Sequence, residues 1–503
     1  MNAFLPALLE VIQPISLIST FVGALVGTWV GIMPGLSSVM GMSIMLPFTL
    51  SLSGSNGIMM MLGIFCGAIY GGSVTATLIN TPGTANSAAT CLDGYPMARK
   101  HKQPGRALSI SITASTFGGL FSAVMLLITA PILAKFALKF SAPEYFALAI
   151  FGLSIVTSVS SKSILKGILG AIVGLLLATV GMDSFTGDFR FTFDTVYLTG
   201  GISFIPVLIG LFAFSQGLIT VEETFLARKQ EREKTVIERV FISKEDWKLL
   251  MPTFLRSSVI GTIIGAIPGT GGDIAAWVGY NEAKRWSKHP EQFGDGAAEG
   301  IAGPEAANNA ISGGALIPLL TMGIPGDACT AIMLGALMMQ GITPGPLLFT
   351  EQTQKVYIII IGLFFANIFM AIIGYSGIKL FSKIVHVPNN ILTPIVFVFC
   401  FIGTFAINHN MSDVYLMIVC GILGFFILKM EFSIPPIILG LILGGIVENN
   451  YRRAMALSDG NALVFFQRPI SCVLLLIGIV SLFYPLFFPV LKRFFTKLKS
   501  GKR

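Results

Sequence analysis

Three carboxylates stand where a water-soluble chain would rarely put them. Asp273, Glu305 and Asp327 each lie in otherwise apolar sequence, beside or close to glycine or proline. A charged group at membrane depth is costly and usually has a task. Three chemistries are open to these residues: ligating a coupling cation, accepting a proton, or capping a helix. Asp after a chain break is a favoured N-cap, which bears most on Asp327. Neutral hydrogen-bonding residues cluster at four Pro-Gly breaks: Pro34-Gly35-Leu36-Ser37-Ser38, Asn80-Thr81-Pro82-Gly83-Thr84-Ala85-Asn86-Ser87, Pro268-Gly269-Thr270-Gly271-Gly272 and Gly323-Ile324-Pro325-Gly326. A helix that starts behind such a break offers free N–H groups and its positive dipole end to an anion. Ser37, Ser38, Thr84, Asn86, Ser87 and Thr270 add side-chain donors there, and the carbonyls ahead of each break can hold a cation. Asn308-Asn309 can present amides to a carboxylate substrate or bond neighbouring helices, and both remain open. One Pro-Gly pair alone reads as a turn or a kink. Four breaks, paired by a repeat, point to a binding site built from these residues with Asn80, Pro82, Gly83, Pro325 and Gly326.

The repeat is explicit. Gly27-Thr28-Trp29-Val30-Gly31-Ile32-Met33-Pro34-Gly35 returns as Gly261-Thr262-Ile263-Ile264-Gly265-Ala266-Ile267-Pro268-Gly269. Further on, Gly71-Gly72 leads to Pro82-Gly83, and Gly313-Gly314 leads to Pro325-Gly326 with one residue inserted. Gly167-Ile168-Leu169-Gly170 recurs as Gly421-Ile422-Leu423-Gly424, and Ile205-Pro206 with Gly210-Leu211 as Pro435-Pro436 with Gly440-Leu441. Four matches in one order indicate a duplication. Paired interruptions in the two halves of a membrane protein mark the place where a transporter binds.

The elements that must position these residues follow from composition. The chain of 503 residues is 54% hydrophobic and 12% charged, with mean hydropathy +0.80. Soluble domains carry about 25% charged residues. Continuous rather than alternating apolar runs predict an all-α polytopic membrane protein. Spans are expected at 15–33, 37–53, 57–79, 107–134, 144–159, 164–181 and 202–220. A charged linker at 222–250 follows, then spans at 251–267, 271–283, 297–322, 354–378, 390–408, 414–428 and 434–449. A last helix at 470–490 precedes a basic cytoplasmic tail at 491–503. The repeats are thus 15–220 and 251–450, with 80–96 and 323–345 read as hairpins that enter and return. Seven crossings per half would invert the second copy. Most Lys and Arg fall on the linker's side when crossings are counted out from it, placing the amino terminus outside and the carboxyl terminus inside.

Several classes are disfavoured. The net charge of +8 comes from Lys and Arg between apolar runs, which is a topology signal and not a nucleic-acid signal. Clusters such as Arg99, Lys100, Lys102 and Arg106 read as anchors, and the tail can also meet membrane lipid. The six cysteines form no CxxC pair and the four histidines no cluster, so no metal centre or cofactor is expected. GxSxG and GxxxxGK[ST] are missing, which disfavours a hydrolase or a built-in ATPase. Met1 to Glu10 lacks the basic region of a signal peptide. Asp183, Asp188 and Asp194 are expected in a solvated external loop.

The four breaks and the phrase Pro304-Glu305-Ala306-Ala307-Asn308-Asn309-Ala310 resemble the large membrane subunit, of TctA type, of the tripartite tricarboxylate transporters, over about residues 17–450. The resemblance implies a secondary transporter of the bacterial inner membrane, working with a small membrane subunit and a periplasmic solute-binding protein. The implied substrates are citrate, other tricarboxylates, dicarboxylates or aromatic acids, driven by a gradient of Na+ or H+, often Na+. An anion channel and a stand-alone organic-anion carrier are the competing readings.

Overall fold

The computed structural model describes residues 3–33, 36–160, 163–226, 241–384 and 389–483. Pro34, Gly35, residues 227–240 of the charged linker and the basic tail therefore lie outside the described residues. In chain order the helices are α1 (Phe4–Val11), α2 (Pro14–Ile32), α3 (Ser38–Leu50), α4 (Asn56–Ile79), α5 (Cys91–Arg99), α6 (Pro104–Ala137), α7 (Ala142–Ser160) and α8 (Ile164–Ala178). The one-turn α9 (Val196–Thr199) precedes α10 (Phe204–Leu208), which runs through a π-helical stretch, Ile209–Phe214, into α11 (Ser215–Leu226). The second half holds α12 (Lys244–Gly265), α13 (Gly271–Trp286), α14 (Ala298–Met322), α15 (Ala328–Met339), the short α16 (Leu348–Glu351), α17 (Thr353–Ile384), α18 (Asn389–Asn408), α19 (Met411–Lys429), α20 (Ile434–Leu457) and the short α21 (Val464–Gln467). A final helix covers Pro469–Phe483.

Among the described residues seven helices are long and apolar enough to cross a membrane, and the only strands are a two-residue pair. The protein is an all-α, multi-pass membrane protein. The spans read from the sequence overlap these helices, but α12 begins at Lys244 rather than 251 and α20 runs to Leu457 rather than 449; α1, α9, α16, α21 and the strand pair were not anticipated.

Helix starts follow local chemistry. Ser37 caps α3 by accepting the Met40 N–H at 3.1 Å, and Ser243 caps α12 by accepting that of Asp246 at 3.0 Å. Pro104 opens α6, where its missing donor costs nothing.

The chain forms two compact units, Met1–Leu138 with Ile205–Phe425, and Lys139–Phe204 with Phe426–Arg503. Each draws on both halves of the sequence, so compact units and sequence repeats do not coincide. In the first unit α4 and α14 are the central helices, with Gly300 to Thr321 wholly buried. Helices α2 and α17 pack on α4; α6, α12 and α13 pack on α14. Glycine permits the close approaches. A methyl group at Gly27 would lie 2.3 Å from the Ile64 carbonyl oxygen, and one at Gly261 would lie 2.0 Å from that of Ala307. Each approach removes apolar backbone contact from lipid without a gap, the usual basis of helix association in membranes.

In the second unit α8 packs on α20, where a methyl at Gly174 would lie 2.0 Å from the Ile437 carbonyl oxygen. A hairpin of β1 (Gly181–Met182) and β2 (Phe189–Arg190) follows α8, pairing Gly181 with Arg190 and Met182 with Phe189. Asp188 and Asp194 are exposed, as expected of a loop. Asp183 corrects the expectation: it is 5% exposed. The Phe185 N–H, at 2.8 Å from Oδ1, and the Arg190 and Arg452 guanidinium groups, at 3.4 and 2.9 Å from Oδ2, draw it inward. Glu448 completes the cluster, 2.7 Å from Arg190.

Candidate functional site

The first unit brings the breaks together. At the first, Ser38 Oγ accepts from the Cys329 thiol at 3.4 Å, placing the start of α3 against the start of α15 and hence the first break against the fourth. The fourth meets the third through the Gly269 N–H, which donates to the Gly326 carbonyl at 2.6 Å. The third meets the second at Gly272, where a methyl group would lie 2.3 Å from Asn86 Nδ2. The second meets the end of α2 at Gly83, where a methyl would lie 2.1 Å from the Gly31 carbonyl oxygen. Four segments up to about 290 residues apart in sequence thus close a ring, with glycine at every one of these contacts except that of Ser38 with Cys329. Gly326 stands against Gly265 as Gly83 stands against Gly31, at 2.7 Å for the corresponding methyl. The two copies of the repeated phrase are therefore packed alike.

Most polar side chains of the ring serve the chain itself. Asp327 Oδ1 accepts from the Thr330 N–H at 2.8 Å and hydroxyl at 2.7 Å, in a reciprocal cap at the start of α15. Thr270 donates to the carbonyls of Ile264 and Ile267 at the end of α12. Ser87 donates to the Thr84 carbonyl at 2.8 Å. Asn309 donates to the Glu305 carbonyl one turn back at 3.0 Å. Asn80 ends α4 in the left-handed region, φ 56°, and is exposed. Asp273, in the first turn of α13, is also exposed, with Asp327 as a charged neighbour.

Asn308 is the exception. It is wholly buried on α14, and neither its Nδ2 nor its Oδ1 has a hydrogen-bond partner among the described residues. Its Oδ1 lies 2.5 Å from where a methyl at Gly272 would be, so it faces the ring between α14 and the start of α13, next to Asn86. An unpaired buried amide costs about 1–3 kcal/mol. A buried polar group without a partner calls for an explanation, such as a water, an ion or a ligand group that completes its bonding.

Glu305 sits one turn before Asn308, with its side chain wholly buried. Its Oε1 accepts from the Thr90 hydroxyl at 2.5 Å and its Oε2 from the Ser115 hydroxyl at 3.0 Å. Sequence reasoning singled out Glu305 but missed both partners. The hydroxyl run Ser109, Ser111, Thr113, Ser115 inside an apolar helix was the available signal. It also missed Asp93, which is wholly buried and binds the loop ahead of α14. Asp93 Oδ1 accepts from the N–H groups of Gly294, Gly296 and Ala297 at 2.8–2.9 Å, and Oδ2 from the Tyr280 hydroxyl at 2.9 Å.

The arrangement offers the start of α13, which no side chain caps, and two amides, with the starts of α3 and α15 capped by Ser37 and Asp327 and no Lys or Arg among the ring residues named. Helix-start N–H groups and amides are able to stabilise an anion through dipoles without a fixed cation.

The family model described as "Tripartite tricarboxylate transporter TctA family" matches residues 17–439. The chain is 42% identical over 472 residues, 93% of its length and 92% of the relative's, to an "Uncharacterized 52.8 kDa protein in TAR-I ttuC' 3'region" of Agrobacterium vitis. It is 41% identical over 220 residues, 44% of its length and 91% of the relative's, to an "Uncharacterized protein in TAR-II ttuC' 3'region" of the same organism. No solved structure matches.

Proposed function

The chain belongs to the tripartite tricarboxylate transporter TctA family, and we propose that it is the large permease subunit of a binding-protein-dependent secondary transporter that takes up carboxylates. Family membership carries the coarser statement, a permease component of a tripartite transporter. The finer reading rests on the site. The observation that carries it is the unpaired, buried amide of Asn308 facing the ring beside Gly272 and Asn86. A substrate carboxylate would accept from the Asn308 and Asn86 amides and from N–H groups at the start of α13. A coupling ion, Na+ or H+, would enter with it. The two copies of the repeat would lie in opposite orientations in the bacterial inner membrane, and movement of one bundle against the other would expose the site to each side in turn. A small membrane subunit and a periplasmic solute-binding protein would complete the assembly.

The test is uptake of labelled citrate and related acids into proteoliposomes holding this chain, the small subunit and the binding protein. Asn308→Ala and Asn86→Ala should abolish saturable uptake and counterflow while leaving membrane insertion intact. Full uptake by both variants would sink the site. Flux without saturation or counterflow would make the protein a channel.

A further inference from the structure

We propose that Glu305 binds and carries the proton that enters with the substrate, held in its ionised state by the hydroxyls of Thr90 and Ser115. This rests on the carrier reading above and decides which ion the carboxylate couples to.

Three observations converge. First, Glu305 is wholly buried on α14, and its hydrogen-bond partners among the described residues are neutral hydroxyls: Thr90 and Ser115, with Ser73, itself 2.7 Å from Ser111, also in reach. No charged group acts on it; Tyr70 of α4 and Cys91 of α5 are the titratable groups that face it, and Tyr375 of α17 faces Tyr70. A buried carboxylate without a cationic partner is costly when ionised. A proton removes that charge at no cost in space.

Second, the geometry suits a proton better than Na+. Oxygens at 2.5 and 3.0 Å share a hydrogen directly, and no cation fits between Thr90 and Glu305 or between Ser115 and Glu305. Hydroxyls that ligate a cation must turn their hydrogens away from it, whereas these donate to the carboxylate.

Third, the carboxylate is wired to the ring. Thr90 lies four residues beyond Asn86, and Asn308 lies one turn beyond Glu305 on α14. Ionised Glu305 accepts two hydroxyl bonds and ties the 85–91 segment to α14. A proton on Oε1 makes that atom a donor, so Thr90 must reverse its hydroxyl or let go, and Asn86 can shift against Asn308. Occupancy of the ring and occupancy of Glu305 are then linked through one short segment.

The experiment has two independent arms. Infrared difference spectra of the purified full-length protein against pH should show a carboxylic-acid C=O band that Glu305→Gln lacks. Thr90→Val and Ser115→Ala, which weaken the hold on the ionised form, should each move that band's midpoint to higher pH. Spectra of wild type and Glu305→Gln that coincide across the pH range of uptake would overturn the proposal, as would midpoints that stay put. In sodium-free proteoliposomes with a trapped pH dye, carboxylate entry should acidify the lumen for wild type, and uptake driven by an inward proton gradient should fall to the no-gradient level in Glu305→Gln. Uptake that requires Na+ and moves no proton would also overturn it. If the band is present but no carboxylate is carried, the proton site stands and the carrier reading fails.

Discussion

The Gly269 N–H donates to the Gly326 carbonyl oxygen at 2.6 Å, joining two chain breaks at the ends of different helices. This bond exists because both residues lack a side chain. Gly269 has φ 83°, and a methyl at Gly326 would lie 2.7 Å from the Gly265 carbonyl oxygen. Alanine at Gly269 would pay about 1–2 kcal/mol for the left-handed backbone. Alanine at Gly326 would push the two breaks apart. Each variant should lose most uptake at normal membrane abundance. Gly445→Ala, in open space on α20, should keep wild-type uptake. Equal uptake by all three, normalised to protein in the membrane, would show that the contact does not matter.

The contact between Ser38 and Cys329 offers a direct check of the ring. With 3.4 Å between oxygen and sulfur, Ser38→Cys should oxidise to a disulfide with Cys329 in a background otherwise free of cysteine. Cleavage of the chain between the two positions, followed by non-reducing electrophoresis, reads the link. Fragments that separate after oxidation would place the first and fourth breaks apart.

Asp93 predicts a ranking. Asp93→Ala leaves three N–H groups and the Tyr280 hydroxyl without their acceptor, a loss of about 3 kcal/mol or more. Asp93→Asn keeps one acceptor oxygen at reduced strength and should cost less. Thermal unfolding of the purified variants should therefore order wild type above Asn above Ala. An Ala variant as stable as wild type would mean that the loop before α14 is held by something else.

The hairpin after α8 should be acid-sensitive. The Phe185 N–H, helped by the Thr186 N–H and the Arg452 guanidinium, holds the Asp183 carboxyl below its usual range. A carboxyl held lower in the folded state contributes stability that is present above its unfolded pKa and is lost as pH falls through the folded one. Amide exchange in residues 181–199, corrected for the intrinsic pH dependence of exchange, should stay protected at neutral pH and lose protection as pH drops through and below the ordinary carboxylate range. Arg452→Gln should lose it at higher pH than wild type. Protection that does not vary with pH would remove Asp183 as the clasp.

The sequence by itself determined the apolar helices, the repeated phrases and most of the places where helices stop. These are local properties: an apolar run long enough for hydrocarbon must close its own hydrogen bonds as a helix, and Pro-Gly in its interior interrupts it. The residue types at the breaks were also legible, but not their employment. Asp327 and Thr270 were weighed as ligands on the same terms as Asn308, yet the folded chain occupies Asp327 Oδ1 and the Thr270 hydroxyl within their own turns and leaves the Asn308 amide unpaired. Only tertiary structure could decide this. Thr90 meets Glu305, and Gly272 meets Asn86, across roughly 200 residues of chain, and no periodicity encodes a contact of that span. Which buried polar atom finds a partner depends on which helices pack, and packing is settled by the summed fit of many small contacts rather than by any motif.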